Sequence, residues 1–337
     1  MMREPPFWWQ ESGACAPALA PLAALYGAIA GARLARNGAR TDVPVICIGN
    51  LTVGGGGKTP TAIAVARMLL ARGRRPAFLT RGYGGRNPGP VPVSPGGNAA
   101  EFGDEPLLLA RIAPTIVARD RVAGASAAIA GGADVIVMDD GLQNPALAKT
   151  VALVALDGRR GVGNGRVIPA GPLRAPLPRQ LDHVNALMVI GEAGSSACTV
   201  IRAARHRGLP IFTARLEPDS DVVAALKQRP VLAYAGIADP EKFFATLKGA
   251  DIAVAQRRGF SDHHVYTAAD ADRLLDAASR TGLQLVTTEK DAARLSADSA
   301  LSELAARSIA LPVTLVIEDE GRLADWLCAA IKTATRR

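Results

Sequence analysis

Residues 49–60 read GNLTVGGGGKTP. The stretch follows a hydrophobic run, VPVICIG at 43–49, and opens a helical pattern at about 59–72. A buried strand, a glycine loop and Lys-Thr at a helix start make up the P-loop arrangement. Glycines let backbone N–H groups turn toward phosphate oxygens, and the helix N-terminus adds a favourable dipole. The cradle comprises Thr52, Val53, Gly54, Gly55, Gly56, Gly57, Lys58 and Thr59. Lys58 is expected to reach the β- and γ-phosphates, and the Thr59 hydroxyl to hold Mg2+. The usual pattern has a glycine five residues before the GK glycine, and Thr52 stands there instead. Gly54 to Gly57 supply the flexibility. A plain glycine turn is the bland alternative, and Lys-Thr with both flanks in place argues against it.

A Mg2+–triphosphate site needs a carboxylate at the end of a second strand, because Mg2+ takes one or two carboxylates plus phosphate oxygens. Residues 135–140, VIVMDD, supply Asp139 and Asp140 at such a strand end. An Asp pair capping the next helix is the competing use. Apolar runs at 43–49, 76–80, 115–118, 134–139, 151–157 and 186–190 alternate with helical patterns at about 59–72, 105–112, 120–131 and from 179 onward. This alternation predicts a mostly parallel sheet with helices on both faces. A second, smaller α/β unit is expected from runs at 231–237, 252–256, 283–287 and 313–317, with helices at 240–247, 268–281, 288–295 and 321–332. The boundary is expected within the polar stretch 216–230. Residues 87–100, rich in Gly and Pro, read as a mobile loop.

The chain has 337 residues, 49% hydrophobic and 21% charged. That composition excludes a disordered or collagenous chain. Cys15, Cys47, Cys198 and Cys328 form no CxxC pair, which excludes a disulfide scaffold and a cysteine-built zinc site. The net charge is +8. A polyanionic partner and a genome that writes Arg for Lys both account for it. Aromatics at 4% leave little material for base stacking.

The segment 1–40 differs from the rest. It holds Trp8 and Trp9, an uncharged stretch from 12 to 32, and then Arg33, Arg36 and Arg40. The stretch is mostly Ala and Gly and carries Pro17 and Pro21, so a membrane span is not expected. Leu22, Leu25, Tyr26, Ile29 and Arg33 fall on one helical stripe at spacings of 3 and 4. Tryptophans before it and arginines after it suit a helix at a lipid interface. A helix packed on the protein's own core is the alternative.

Further polar clusters stand out. RGYGGR at 81–86 joins flexible backbone to two guanidinium groups, as anion recognition requires. Asp104 in GDEP opens a helix, where an N-cap is the commoner role. Residues 158–176 carry Arg159, Arg160, Arg166 and Arg174; a solvated surface is one reading, and next to a phosphate site they are expected to bind anionic substrate or the transferring phosphoryl group. His263 and His264 in FSDHHVY lack further ligands nearby, so a zinc site is rejected.

Taken together, the amphiphilic amino-terminal segment, GNLTVGGGGKTP, TRGYGGR, GDEP, DDGLQ, PAGPLR, FSDHH and TTEKD resemble the tetraacyldisaccharide 4′-kinase family, the lipid A 4′-kinases of Gram-negative bacteria. The resemblance spans nearly the whole chain. It implies a kinase that transfers the γ-phosphate of ATP, with Mg2+, to the 4′-hydroxyl of tetraacyldisaccharide 1-phosphate. It implies no nucleic-acid partner and work at the cytoplasmic face of the inner membrane. It implies a P-loop kinase domain at 41–220, a smaller α/β domain at 221–337 closing over the cleft, and a membrane-interface helix within 1–40. Carried over to this chain, Lys58, Thr59, Asp139 and Asp140 serve phosphates and metal. Asp104 is the general base, His263 pairs with it across the cleft, and Arg174 contacts phosphate. The chain departs from the family pattern at Gly56, Asn144 and Ala175.

Two other functions share some of these features. A P-loop switch ATPase at a membrane needs the glycine loop and Asp139, but not the RGYGG and PAGPLR arginines. A basic nucleic-acid ATPase predicts salt-sensitive binding, and no aromatic-interleaved basic run supports it.

Overall fold

The structure, a computed structural model, describes residues 4–10, 15–296 and 298–335. Residues 1–3 and 11–14, part of the segment assigned above to a membrane interface, lie outside the described residues.

The described strands are β1 Val45–Gly49, β2 Pro76–Thr80, β3 Val91–Pro92, β4 Thr115–Val117, β5 Val135–Asp139, β6 Val151–Asp157, β7 Ala186–Ile190, β8 Ile211–Pro218, β9 Val231–Ala235, β10 Val254–Gly259, β11 Gln284–Thr288, β12 Ser308–Leu311 and β13 Val313–Ile317. The larger sheet has the order β13-β8-β7-β6-β1-β5-β2-β4-β3. Its interior pairs are parallel, and the two edge strands β13 and β3 pair antiparallel. The smaller sheet, β10-β9-β11-β12, is parallel throughout.

Alternation along β1 explains why the sheet is covered on both sides. Ile46 and Ile48 enter one apolar core with the helix Lys58–Ala71, whereas Val45 and Cys47 enter another with the helix Arg121–Ala130. Strands buried on both faces read as continuous apolar runs, which is why the sequence exposes them. Strand order reverses around β1, with β5 on one side and β6 on the other. Ligands of open α/β sheets bind beyond the carboxyl ends of strands at such a point. The glycine loop, Asp139 and Asp157 all leave strands there.

The structure corrects three expectations. Residues 313–317 were placed in the second unit, yet β13 pairs with β8 in the larger sheet, with Leu315 opposite Leu216. The following helix, Glu320–Thr335, sends Leu323, Leu327 and Ile331 into the larger core. A short apolar strand carries no information about which sheet accepts it, and β8 itself lay partly inside the stretch read as a boundary. Next, residues 87–100 are not simply a loop. β3 pairs with β4, Asn98 caps the short helix Ala99–Phe102, and Val93 packs with Phe102. Finally, the tryptophans do not flank the helix as lipid anchors. Trp8 is buried and its indole donates to the Pro169 carbonyl at 3.0 Å. Trp9 donates to Glu4 and lies under the Arg160 guanidinium, 4.4 Å from the ring centre.

Because Leu327 fills the larger core, Leu327→Ala is expected to lower stability by about 2–5 kcal/mol in urea unfolding. A loss below roughly 0.5 kcal/mol, the scale of an exposed-site change, would show that the helix does not pack there.

Candidate active site

The loop after β1 needs residues that tolerate left-handed backbone. Gly57 has φ of 84°, and a Cβ there would lie 2.4 Å from Ile190 Cδ1. This lets the chain turn straight into the helix Lys58–Ala71. The outer side of the loop is strapped to the 166–174 loop. Val53 N–H donates to the Pro172 carbonyl at 2.9 Å, and Arg174 Nε donates to the Thr52 carbonyl at 2.9 Å. Thr52 and Val53 thus brace the cradle from outside. Asn50 Nδ2 donates to the Gly54 carbonyl at 3.0 Å and holds it from within.

Lys58 Nζ lies 3.8 Å from Asp140 Oδ2 and 3.4 Å from the Gly54 carbonyl. The two adjacent aspartates differ in their surroundings. Arg174 grips Asp140 with both guanidinium nitrogens, at 2.9 and 3.1 Å. Burial pulls the Asp140 carboxyl upward, but the charges of Lys58 and Arg174 outweigh it and hold it below the ordinary value. Asp139 is fully buried, and neither carboxylate oxygen has a hydrogen-bond partner among the described residues. Burial, with the charge of Glu105 added, pushes its carboxyl up to about 7 despite Lys58. The Thr59 hydroxyl is likewise buried without a partner. Orphaned buried oxygens on a helix start and a strand end fit a hard cation. Among the described residues no cluster of three His, Cys, Asp or Glu offers an all-protein cage.

The opposite wall joins the two units. Gly103 has φ of 91°, and a Cβ there would meet the Tyr83 carbonyl at 2.4 Å. The backbone passes close under Tyr83 and starts the helix Asp104–Ala110 with Asp104 as its first residue. The cap position is Gly103, so Asp104 is not an N-cap. Its Oδ1 accepts from Glu105 N–H at 2.9 Å and lies 3.3 Å from His263 Nδ1. Its Oδ2 lies 3.2 Å from Arg294 Nε. His263 packs against Tyr83 with ring centres 4.8 Å apart. Burial raises the Asp104 carboxyl, but His263, Arg294 and Lys290 together bring it down to about 2. Burial lowers the His263 imidazole, and Asp104 more than reverses this, raising it above its ordinary value. Next in sequence, Glu105 meets Lys290 Nζ at 2.5 Å. Against burial, Lys290 and then Lys58 hold the Glu105 carboxyl near 2. The charge on the glycine-loop lysine therefore reaches the residue beside Asp104. A cavity of about 590 Å3 lies between the units, lined by Thr59, Ile63, Leu108, Phe243 and Lys290 among others.

The structure brings Asp104 to His263, and Lys58 to Asp140 and Arg174. It separates the histidines, since His264 Nε2 bonds Asp270 at 3.1 Å and stacks on Phe260. It also occupies two of the loop arginines with carboxylates. Arg159 and Arg160 both pair with Asp239, and Arg160 also meets Glu4 at 3.0 Å. Arg81, Arg86 and Arg166 are exposed. Sequence reasoning assigned no role to Glu105, Lys290, Asp291 or Arg294. Glu105 lay within GDEP, and Lys290 and Asp291 within TTEKD, whose charges gain meaning once the helix Glu289–Leu295 faces Asp104; Arg294 lay in neither motif.

The chain as a whole is similar to known proteins. The family model described as tetraacyldisaccharide-1-P 4'-kinase matches residues 15–332. Proteins named tetraacyldisaccharide 4'-kinase from Rhodopseudomonas palustris strains BisB18 and BisA53 are 52% and 53% identical, covering 99% and 100% of this chain and 97% and 98% of theirs. One from Methylobacterium sp. (strain 4-46) is 54% identical over 92% of this chain and 94% of its own. A crystal structure of LpxK from Aquifex aeolicus in complex with ATP superimposes with a TM-score of 0.72 at 26% identity, covering 94% of this chain and 99% of that one.

The Asp104–His263 pair sets a pH window. The Asp104 carboxyl falls from 3.8 to about 2 on folding, so its contribution is present above about pH 4 and is lost toward pH 2. The His263 imidazole rises from 6.5, so its contribution is full below about pH 6.5 and is lost as pH climbs through the folded value. The difference in melting temperature between the native protein and His263→Ala should be largest between about pH 4 and 6.5. A difference that stays constant into the alkaline range would contradict the pair.

Proposed function

This chain belongs to the tetraacyldisaccharide-1-P 4'-kinase family, and from that premise we infer that it transfers the γ-phosphoryl group of ATP to the 4′-hydroxyl of a tetraacyldisaccharide 1-phosphate. The observation that carries the assignment of roles is the Asp104–His263 contact, which joins the two units at the cleft beside the glycine loop. Lys58 and the glycine backbone hold the phosphates. Thr59 and Asp139, whose buried oxygens lack partners, would hold Mg2+, which would supply charge neutralisation to the phosphates. Asp140 orients Lys58 and Arg174.

Asp104 receives the proton of the acceptor hydroxyl as that oxygen bonds to phosphorus. A carboxylate held near pKa 2 is a weak base. Weak basicity suffices where the transition state is loose and bonding to the nucleophile develops late, so that placement matters more than proton affinity. His263 orients the carboxylate and steadies its charge, and it does so only when the 231–311 unit meets the larger one.

The acceptor is a lipid, and the helix Ala20–Leu34 suits a bilayer surface. Leu22, Leu25, Tyr26 and Ile29 point outward, with Leu25 and Ile29 more than 60% exposed. Ala23, Gly27 and Leu34 face inward, where Pro176 crosses Gly27. Among the described residues no helix is long and apolar enough to cross a membrane. A fully buried Leu or Ile side chain contributes about 1.5–3 kcal/mol, so four partly inserted side chains support reversible docking. Arg33, Arg36 and Arg40 are exposed at and beyond the end of the helix, where anionic headgroups attract them. Since ATP is the donor, the docked surface is the cytoplasmic face of the inner membrane.

Labelled ATP and purified acceptor glycolipid, followed by chromatography of the lipid, test the assignment directly. Lys58→Ala should abolish transfer, and near-native turnover would remove Lys58 from the mechanism. Asp104→Ala should lower kcat by about 100-fold or more while the KM for ATP stays within about 3-fold. Equal losses in both would make Asp104 structural. Leu25→Asp with Ile29→Asp should weaken cosedimentation with anionic vesicles without lowering the melting temperature, because both side chains are exposed. Unchanged partitioning would count against the docking helix.

A further inference from the structure

Arg294 lies on the helix Glu289–Leu295 and its side chain is only 11% exposed. Its Nη1 donates to the carbonyls of Gly236 at 2.9 Å and His264 at 3.2 Å. Its Nη2 lies 3.0 Å from Asp291 Oδ1. Asp291 is itself fixed, accepting from Tyr266 Oη at 2.7 Å, Gly236 N–H at 3.0 Å and Thr288 Oγ1 at 2.6 Å. The guanidinium is thus anchored by its own unit, and across the cleft it meets Asp104 Oδ2 at 3.2 Å. His263 comes from the same unit and meets the other oxygen, Oδ1.

We propose that Arg294 is a positioning residue for phosphoryl transfer: its rigidly mounted charge, 3.2 Å from Oδ2 of Asp104, draws that oxygen into place while His263 meets Oδ1, so the carboxylate is set for the reaction only when the two units are together. This rests on Asp104 being the base. Oδ1 is held by the Glu105 N–H at 2.9 Å and by His263, whereas Oδ2 accepts no hydrogen bond among the described residues, so the fixed Arg294 charge at 3.2 Å is what draws that oxygen to its place. A lone guanidinium–carboxylate pair made for stability would be complete with Asp291 alone. Arg294 Nε donates to the Lys290 carbonyl at 3.2 Å, so the guanidinium is anchored on every edge within its own unit and faces Asp104 Oδ2 as a fixed charge. The charged and titratable groups around Asp104 are Glu105 on its own helix, His263 and Asp262 on the loop after β10, Lys290 and Arg294 on the facing helix, and Tyr83 over His263. Arg294 contributes to keeping Asp104 ionised, alongside His263 and Lys290.

The test compares Arg294→Met, Arg294→Lys and Asp104→Ala on the full chain with purified glycolipid acceptor, recording kcat, ATP KM, melting temperature and the pH profile of kcat. Arg294→Met should lower kcat by about 100-fold, the scale of a misplaced catalytic group, with ATP KM within about 3-fold. The acidic limb of its kcat profile should move to higher pH by about one unit, because an opposite charge has left the carboxylate. Arg294→Lys keeps the charge but not the fork. Its limb should stay in place while kcat remains about 10-fold low. Combining Arg294→Met with Asp104→Ala should add no further loss to Asp104→Ala alone, as expected of residues acting as one unit. Native kcat in Arg294→Met, or an equal loss in kcat and ATP affinity with the limb unmoved, would overturn the proposal. If Arg294→Met does not fold, native kcat in Arg294→Lys overturns it. Turnover surviving in Asp104→Ala would instead sink the base assignment, so the two failures are distinguishable.

Discussion

Two carboxylates of the larger unit, Asp104 and Glu105, are largely removed from water yet ionised, and the cations that allow this belong mostly to the other unit. His263, Lys290 and Arg294 face them across the cleft. A buried charge without its partner is expensive, so the pairing ties the ionisation of these acids to the meeting of the units. The opposite end of the cleft repeats the device with signs mixed. Asp157 of β6 meets Lys242 at 2.5 Å, and Asp239 meets Arg159 and Arg160. Each unit supplies both an acid and a base to the interface, which gives it orientation as well as attraction.

On the glycine-loop side Asp139 and Thr59 carry buried oxygens that the described residues do not satisfy, whereas both oxygens of Asp140 accept from Arg174 and one lies 3.8 Å from Lys58. Neighbouring residues of identical type thereby acquire different chemistry. Asp140 has φ of 53°, so the chain turns sharply after β5. The contrast leaves Asp139 as the acid without a partner, a difference that VIVMDD does not show. Two kinds of incompleteness meet in one cleft: oxygens that need a cation, and acids that need the partner unit.

The amino-terminal segment links these features to the surface. Trp8 and Trp9 tie residues 4–10 to the loop after β6, and Glu4 reaches Arg160, which in turn meets Asp239 of the second unit. Beyond it, the helix Ala20–Leu34 packs its small residues inward and leaves its large apolar ones exposed. The tryptophans thus serve the interior of the larger unit, and the apolar stripe faces solvent.

The sequence by itself determined the class of the fold and the chemical centre. Buried parallel strands announce themselves as apolar runs, and a glycine loop with Lys-Thr has few other uses. Asp104 and His263 were legible only through the family pattern, because 159 positions separate them and no local rule joins such residues. The tertiary structure alone decided the rest. It returned β13 and the last helix to the larger sheet, since strand partnership depends on edges that form after the chain has folded. It made Asp139 the unsatisfied acid and Asp140 the satisfied one, since burial and partners are not properties of residue type. It also turned Lys290 and Arg294, ordinary charges on a short helix, into partners of Asp104 and Glu105. Electrostatic effects fall with distance in space and ignore separation in sequence, so they become visible only when the units are brought together.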